Sequence, residues 1–150
     1  MTLFCFLLAK EEINLKREMS ADRICYLNLI RHSTKIWHSV SLPKKTLFVH
    51  ALGTVLGKAK YGSSLVCYQN VTVGGSNGVY PIIHGDCVIY SGASILGNSE
   101  IGENVVIGAG SLIVDEVIPS NSKVQGRTPN LTINSLEVNI RERFFYNTHL

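Results

Sequence analysis

The chain has 150 residues, 45% of them hydrophobic and 17% charged, with a net charge of +3. That is the length of one domain with enough apolar material for a packed core, and it excludes a disordered chain. Lys44, Lys45, Lys58 and Lys60 are too few to form the clustered basic stripe of a nucleic-acid-binding surface, so no nucleic acid partner is expected.

The opening Leu3–Ala9 stretch is apolar but short, without the basic start or small-residue cleavage site of a signal peptide. It falls far short of a bilayer span, which predicts a cytoplasmic protein whose N-terminus packs on something. Residues 3 to 32 read as helical. Leu3, Phe6, Leu7 and Ile13 fit one apolar face, and Ser20-Ala21-Asp22 reads as a second helix start, followed by Ile24, Leu27 and Ile30 as its apolar face. Residues 1–35 are therefore expected to form a short helical segment.

From Ile36 the pattern changes. Ile36, Leu42 and Phe48 recur at a spacing of six, followed four residues later by Val40, Thr46 and Leu52. A turn insertion then carries His50 and Gly53. The register resumes at Leu56, shortens by one residue to Tyr61, and continues through Cys67 and Val73 until Gly74–Pro81 breaks it with turn chemistry. Ile83, Ile89, Ile95, Ile101, Ile107 and Ile113 then repeat at six without a slip, with Cys87, Ala93, Ser99, Val105 and Ser111 as small or β-branched residues four positions on. A period of six matches neither helix nor lone strand and reads as stacked coils of a parallel β-helix over residues 36–130. Cys67 and Cys87 fall on interior positions, and the four cysteines show no metal or disulfide spacing, as befits a reducing compartment. The tail, residues 131–150, offers Leu136, Ile140, Phe144 and Phe145 as one face of a short helix that would cap the open end of the last coil.

The [Ile/Val/Leu]-Gly-x-x-small-x pattern resembles the hexapeptide-repeat acyltransferases, and among them the serine acetyltransferases and their short sugar-modifying relatives. The segments that carry the likeness are Val49-His50-Ala51-Leu52-Gly53, Tyr68–Gly75, Gly92–Asn98 and Ile107–Ser111. The resemblance implies a left-handed parallel β-helix, mainly β, with a short N-terminal helical segment and a C-terminal capping tail. The left hand comes from the resemblance, because periodicity carries no sign. Serine acetyltransferases place a long helical domain before the repeats, whereas here only about 35 residues precede Ile36, as in the short relatives.

The resemblance also implies acetyl-CoA as acetyl donor, no metal, and a homotrimer with sites between subunits. It assigns His50 as the general base, a task suited to a group that titrates near neutrality. It places the pantetheine arm against Gly75, Ser76, Ser91, Gly92, Ala109 and Gly110, where small residues let it approach the backbone, with an N–H near Gly75 for the thioester oxygen and Tyr80 beside the acceptor. Lys123 and Arg127 are candidates for a basic residue after the last coil.

Three positions depart from the pattern. Val49 and Lys35 stand where serine acetyltransferases have aspartates, and Tyr80 stands where a second histidine precedes proline. His84 is the nearest substitute for that histidine, but it follows the inward Ile83 and is expected to face solvent. The expected function is O-acetyl transfer to serine or a similar small alcohol. Acetylation of a sugar or polysaccharide precursor is a second reading, and a degenerate β-helix that binds without catalysing is a third.

Overall fold

The structure, a computed structural model, describes residues 1–146. Two helices, α1 (Thr2–Asn14) and α2 (Glu18–His32), precede a stack of parallel strands arranged on three faces. The first face carries β1 (Lys35–Ile36), β3 (Val55–Leu56), β6 (Thr72–Gly74), β9 (Ser94–Leu96) and β12 (Leu112–Val114). The second carries β2 (Lys45–Phe48), β5 (Ser64–Cys67), β8 (Cys87–Ile89), β11 (Val105–Ile107) and β14 (Ser122–Arg127). The third carries β4 (Lys60–Tyr61), β7 (Ile82–Ile83), β10 (Glu100–Ile101) and β13 (Val117–Ile118). The chain visits first, third and second face in turn, which makes a parallel β-helix five strands deep on its first face.

The hexads set this register. Ile83 pairs with Ile101, Ile89 with Ile107 and Ile95 with Ile113, each a step of eighteen residues, or three hexads to a coil. All six isoleucines lie inside, at most 2% exposed. They stack with Leu56, Leu65, Cys67, Val73, Cys87 and Val124 into one core running the length of the coil. Each β-branched side chain there meets its own kind one rung away, so burial and strand preference point the same way.

Two insertions interrupt the regular coil. Phe48 pairs with Cys67 and Val55 with Thr72, so the turn from Phe48 to Val55 takes seven residues where that from Cys67 to Thr72 takes five. This is the turn that carries His50. Val73 pairs with Ile95 and Ile83 with Ile101, so the step from Val73 to Ile83 takes ten residues where that from Ile95 to Ile101 takes six. The extra residues make a tight excursion in which Ser76 and Val79 bond to each other across Asn77 and Gly78. Both central residues have positive φ, 51° and 80°, the Asn-Gly arrangement of a two-residue hairpin turn.

The N-terminal helices close one end of the core. Phe6, at 4% exposure, joins the same cluster as Ile36 and Val40, and Leu3 packs against it. The expected helix faces need correction. α2 begins at Glu18, after a left-handed Lys16 ends α1, so Ser20 lies inside the first turn rather than before it. Leu7, Leu27 and Ile30 are exposed, and the contact between the helices centres on Ala9, Ala21 and Cys25, with Ile13 and Ile24 of the expected faces packed against them. Small residues let the two backbones come close, which outranks the bulkier apolar stripe. Leu52, four residues after Phe48 in the hexad register, is also exposed, because it belongs to the inserted turn.

The tail is the second correction. It does not sit over the open end as a helical plug. β15 (Asn130–Ser135) folds back antiparallel on β14 over six residue pairs and closes that edge with hydrogen bonds. Residues 136–146 then run back along the outside of the second face, ending in a single π-helical turn, Glu142–Tyr146. The outward residues Val66 and Val88 are thereby fully buried, together with Ile140, and Val106, Leu136, Phe144 and Phe145 pack around them. An outward-facing valine in three successive coils, Leu65-Val66-Cys67, Cys87-Val88-Ile89 and Val105-Val106-Ile107, is the sequence signal for a covered face. The remaining tail residues, 147–150, lie outside the described residues.

Candidate active site

The corner between second and first faces stacks as a column. Ser33, Gly53, Asn70, Gly92 and Gly110 all adopt left-handed backbone, with φ between 50° and 71°. Each bonds to the coil below: Gly53 N–H to the Ser33 carbonyl, Asn70 to Leu52, Gly92 to Gln69 and Gly110 to Ser91, at 2.8–3.0 Å. Glycine adopts that backbone conformation at Gly92 and Gly110 without the strain most side chains would carry there. At Gly110 a Cβ would meet no atom within 4 Å, so the space outside this edge is open.

His50 stands at the foot of this edge. It is exposed, and its φ of 54° puts it in the left-handed region, as at seven other non-glycine positions among the described residues. The turn around it is tied on both sides. Thr34, wholly buried, donates from its hydroxyl to the Ala51 carbonyl at 2.8 Å, and Thr54 donates to the Tyr68 carbonyl at 3.1 Å. Val49 N–H donates to the Cys67 carbonyl at 2.9 Å. The Asn70 side chain lies against Gly53, its Oδ1 only 2.1 Å from where a Cβ would be, so a larger residue there would displace the Asn70 amide. Sequence reading missed Thr34 and Asn70. One looks like an ordinary linker residue and the other like half of a glycosylation sequon.

Above His50 on the same edge come Gln69, then Ser91 and Gly92, then Ala109 and Gly110, one rung of about 4.8 Å apart. Arg127, at the first-face end of β14 and paired with Leu112, tops this edge. Lys123 lies instead on the second face, opposite Val106. Four of the six residues assigned to the donor, together with His50, therefore share one straight edge.

The other two do not. Gly75 and Ser76 sit with Tyr80 on the excursion between first and third faces, at the opposite end of the first-face strands from His50. There Tyr80 lies over Gly75: a Cβ on Gly75 would come within 2.5 Å of the ring and of the Val79 carbonyl. Lys58 Nζ sits 4.9 Å above the Tyr80 ring, a cation–π contact. Within one chain the proposed base and the proposed acceptor contact are separated by the whole width of the first face.

The remaining candidates resolve simply. His84 is exposed, as expected, and pairs with Glu100 at 2.6 Å. Cys67 is buried, and burial pushes its thiol up to about 12, which keeps it a protonated core residue. Lys35 is an exposed residue of β1. Val49 packs in the apolar cluster formed with the tail. Burial raises the Tyr68 phenol and the neighbouring Tyr90, 4.7 Å away, raises it further, against the lowering effect of Arg143. A polar cleft of about 440 Å³ beneath the tail is lined by Ser63, His84, Asp86, Asn104 and Arg141. Asp86 and Arg141 there are paired with each other, Glu103 adds a second carboxylate, and the cleft forms the seat of the tail, away from His50. Among the described residues no helix is long and apolar enough to cross a membrane, and no three metal-ligating side chains gather.

Residues 80–115 match the family model of the bacterial transferase hexapeptide, six repeats. A serine acetyltransferase of Synechococcus elongatus is 35% identical over 108 residues, covering 69% of this chain and 44% of the relative. The crystal structure of serine acetyltransferase from Vibrio cholerae superposes with a TM-score of 0.81 at 26% identity, over 94% of this chain and 55% of that one. That of the Brucella abortus enzyme in complex with coenzyme A gives 0.78 at 24% identity, over 89% and 54%, a likeness of fold. The chain spans about half the length of the relatives it matches. By repeat, coil and relatives, it is a hexapeptide-repeat protein similar to the serine acetyltransferases.

Proposed function

We propose that this protein transfers the acetyl group of acetyl-CoA to the hydroxyl of serine or a similar small alcohol, with His50 as general base. The observation that carries this reading is the His50 turn: an inserted, left-handed, exposed histidine at the foot of an open edge of small residues. Acetyl-CoA supplies an acetyl thioester, and the residues present fit it. Gly92, Ala109 and Gly110 are exposed along the edge with room outside them, and Arg127 stands at its far end for the phosphates. His50 takes the proton from the acceptor hydroxyl as its oxygen attacks the thioester carbon. The imidazolium then returns that proton to the sulfur as the carbon–sulfur bond breaks, so no covalent acyl-enzyme forms.

A homotrimer completes the site in this reading. His50 and the Gly75–Tyr80 excursion lie at opposite edges of the first face, so one copy's base meets another copy's loop when three first faces turn toward a common axis. The tail covers the second face, and the third presents Lys60, His84 and Glu100. The first face offers half-buried Val55, Thr72, Leu96, Leu112 and Val114 without a cover among the described residues, which suits a second copy.

A sugar hydroxyl is the second reading for the acceptor. Tyr80 presents a phenol where a carboxylate-holding histidine is expected, and Val49 is turned into an apolar cluster rather than toward an acceptor. Thiol release from acetyl-CoA, measured with serine and a panel of sugars beside His50→Ala, tests both. Serine-dependent release lost in the variant supports the first reading, and release with sugars alone supports the second. Full rate in the variant removes His50 as base.

A further inference from the structure

The tail does more than cover apolar surface. It is pinned at successive coils along the corner between third and second faces. Leu136 N–H donates to the Asn121 carbonyl at 2.7 Å. Asn104 accepts from Ile140 N–H at 2.9 Å and donates to the Val138 carbonyl at 3.1 Å. Arg141 gives two hydrogen bonds to one oxygen of Asp86, at 3.0 and 3.2 Å, and that carboxylate is also held by Ser63 and Ser64. The tail thus descends the stack from the last coil toward the first in a fixed register, since a slip of one rung would unpair all three anchors.

It ends on the strand that leads into the proposed catalytic turn. Tyr146 meets Lys45, the first residue of β2 and the one farthest along it from His50. Phe144 and Phe145 pack on the cluster that also holds Val49, Tyr68 and Tyr90. Val49, Tyr68 and Tyr90 form one column: Phe48 pairs with Cys67 and Cys67 with Ile89, and each of the three residues follows one of these. The C-terminal half of the His50 turn is held by Thr34, Ser33 and Asn70. Beyond one backbone bond to Cys67, the N-terminal half is held by this apolar cluster.

We infer that residues 136–146 are a strap that positions His50, with Phe144 and Phe145 as positioning residues acting through Val49. The inference rests on His50 as the base. A left-handed non-glycine residue keeps its conformation only when its surroundings over-determine it, and the strap supplies one of the two sides that do so. A misplacement of about 1 Å at a reacting group costs about a hundredfold in rate, so loosening one side lowers turnover without touching the donor edge.

The test uses the full chain with Phe144 and Phe145 both changed to Ala, both changed to Leu, and Arg141→Gln alone. Two readouts are taken: the imidazole proton resonance of His50, assigned by its loss in His50→Asn, and kcat and KM for acetyl-CoA. The strap predicts that the double Ala variant shifts and broadens the His50 resonance and lowers kcat about tenfold or more, with KM within about threefold. The double Leu variant restores most of the rate, and Arg141→Gln moves both readouts in the same direction by less. A folded double Ala variant with an unmoved His50 resonance and kcat within about twofold of the parent overturns the inference. Should the double Ala variant fail to fold, Arg141→Gln decides by the same criteria. If the parent chain acetylates no acceptor, the base assignment falls, and the His50 resonance alone still confirms or overturns the strap.

Discussion

Thr34 donates a 2.8 Å hydrogen bond to the carbonyl of Ala51, the residue that follows His50. Thr34 is wholly buried at the junction between α2 and the first coil, so the end of the helical segment is bonded to the proposed catalytic turn. Thr34→Val keeps the shape and removes the donor. The Ala51 carbonyl retains only the long contact from Thr54 N–H at 3.3 Å. The expected cost is about 1–2 kcal/mol of stability, by thermal or denaturant unfolding, with a several-fold fall in acetyl transfer. A variant as stable and as active as the parent would show that the turn needs no such tether.

His50 allows stability and activity to be pulled apart. Its positive φ is tolerated by asparagine almost as well as by histidine, so His50→Asn is expected to keep Tm within about 3 °C of the parent. The same variant has no imidazole to take a proton and should lose about a hundredfold or more in kcat. A large loss of Tm would mean that the imidazole itself holds the turn together, and retained turnover would remove the base.

The strap's carboxylate gives a pH signature. Burial pushes Asp86 up, but hydrogen bonds from Ser64, Ser63 and Arg141, together with the Arg141 charge, outweigh it and hold the carboxyl below its ordinary range. A folded-state pKa below the unfolded one means the stabilisation is fully present above the ordinary carboxylate value near 4 and is lost as pH falls through the depressed one. Acid should therefore loosen the tail. Unfolding of Asp86→Asn followed against pH should show a smaller loss of stability below about pH 4 than the parent. An equal loss in both would place the acid-sensitive groups elsewhere.

The coil was legible because the hexad is a rule about side-chain direction. Ile83 through Ile113 announce six inward positions, and the two breaks in spacing, at His50 and at Gly74–Pro81, locate the two insertions. Cys67 and Cys87 fell on the inside for the same reason. Leu136, Ile140, Phe144 and Phe145 were legible as the apolar side of the tail, but its course was not, because its anchors are Asn104, Asn121 and Asp86, residues that any solenoid corner uses as turn formers. Nor was the helix contact, where Ala9 and Ala21 prevail over Leu7 and Ile30 through close approach rather than hydrophobicity. The separation of His50 from Tyr80 by the full first face could not be read from spacing either, since it depends on which corner each insertion occupies. It leads to a complementation test. Mixed trimers of His50→Ala with a Gly75→Val chain, whose new side chain would strike the Tyr80 ring, should regain part of the activity that each homotrimer lacks. No recovery from assembled mixed trimers would place the whole site in one chain.

Gly110 tests the donor edge without disturbing the coil. Its φ of 67° forbids most side chains but not asparagine, and a Cβ there meets nothing within 4 Å. Gly110→Asn should thus fold with a stability within about 1 kcal/mol of the parent, its new amide standing in the open space beside Ala109 and Ser91. If the pantetheine arm lies along this edge, that amide occupies its path, and KM for acetyl-CoA should rise about tenfold while KM for the acceptor is unchanged. Gly78→Asn is the counterpart, since Gly78 also has positive φ and open space around it but lies on the excursion hairpin, at the other end of the first face of its own chain. A rise in donor KM for Gly78→Asn and none for Gly110→Asn would move the donor from the His50 corner to the opposite side of the first face. Direct proton transfer from an acceptor held at His50 would then require the donor to arrive from the neighbouring copy.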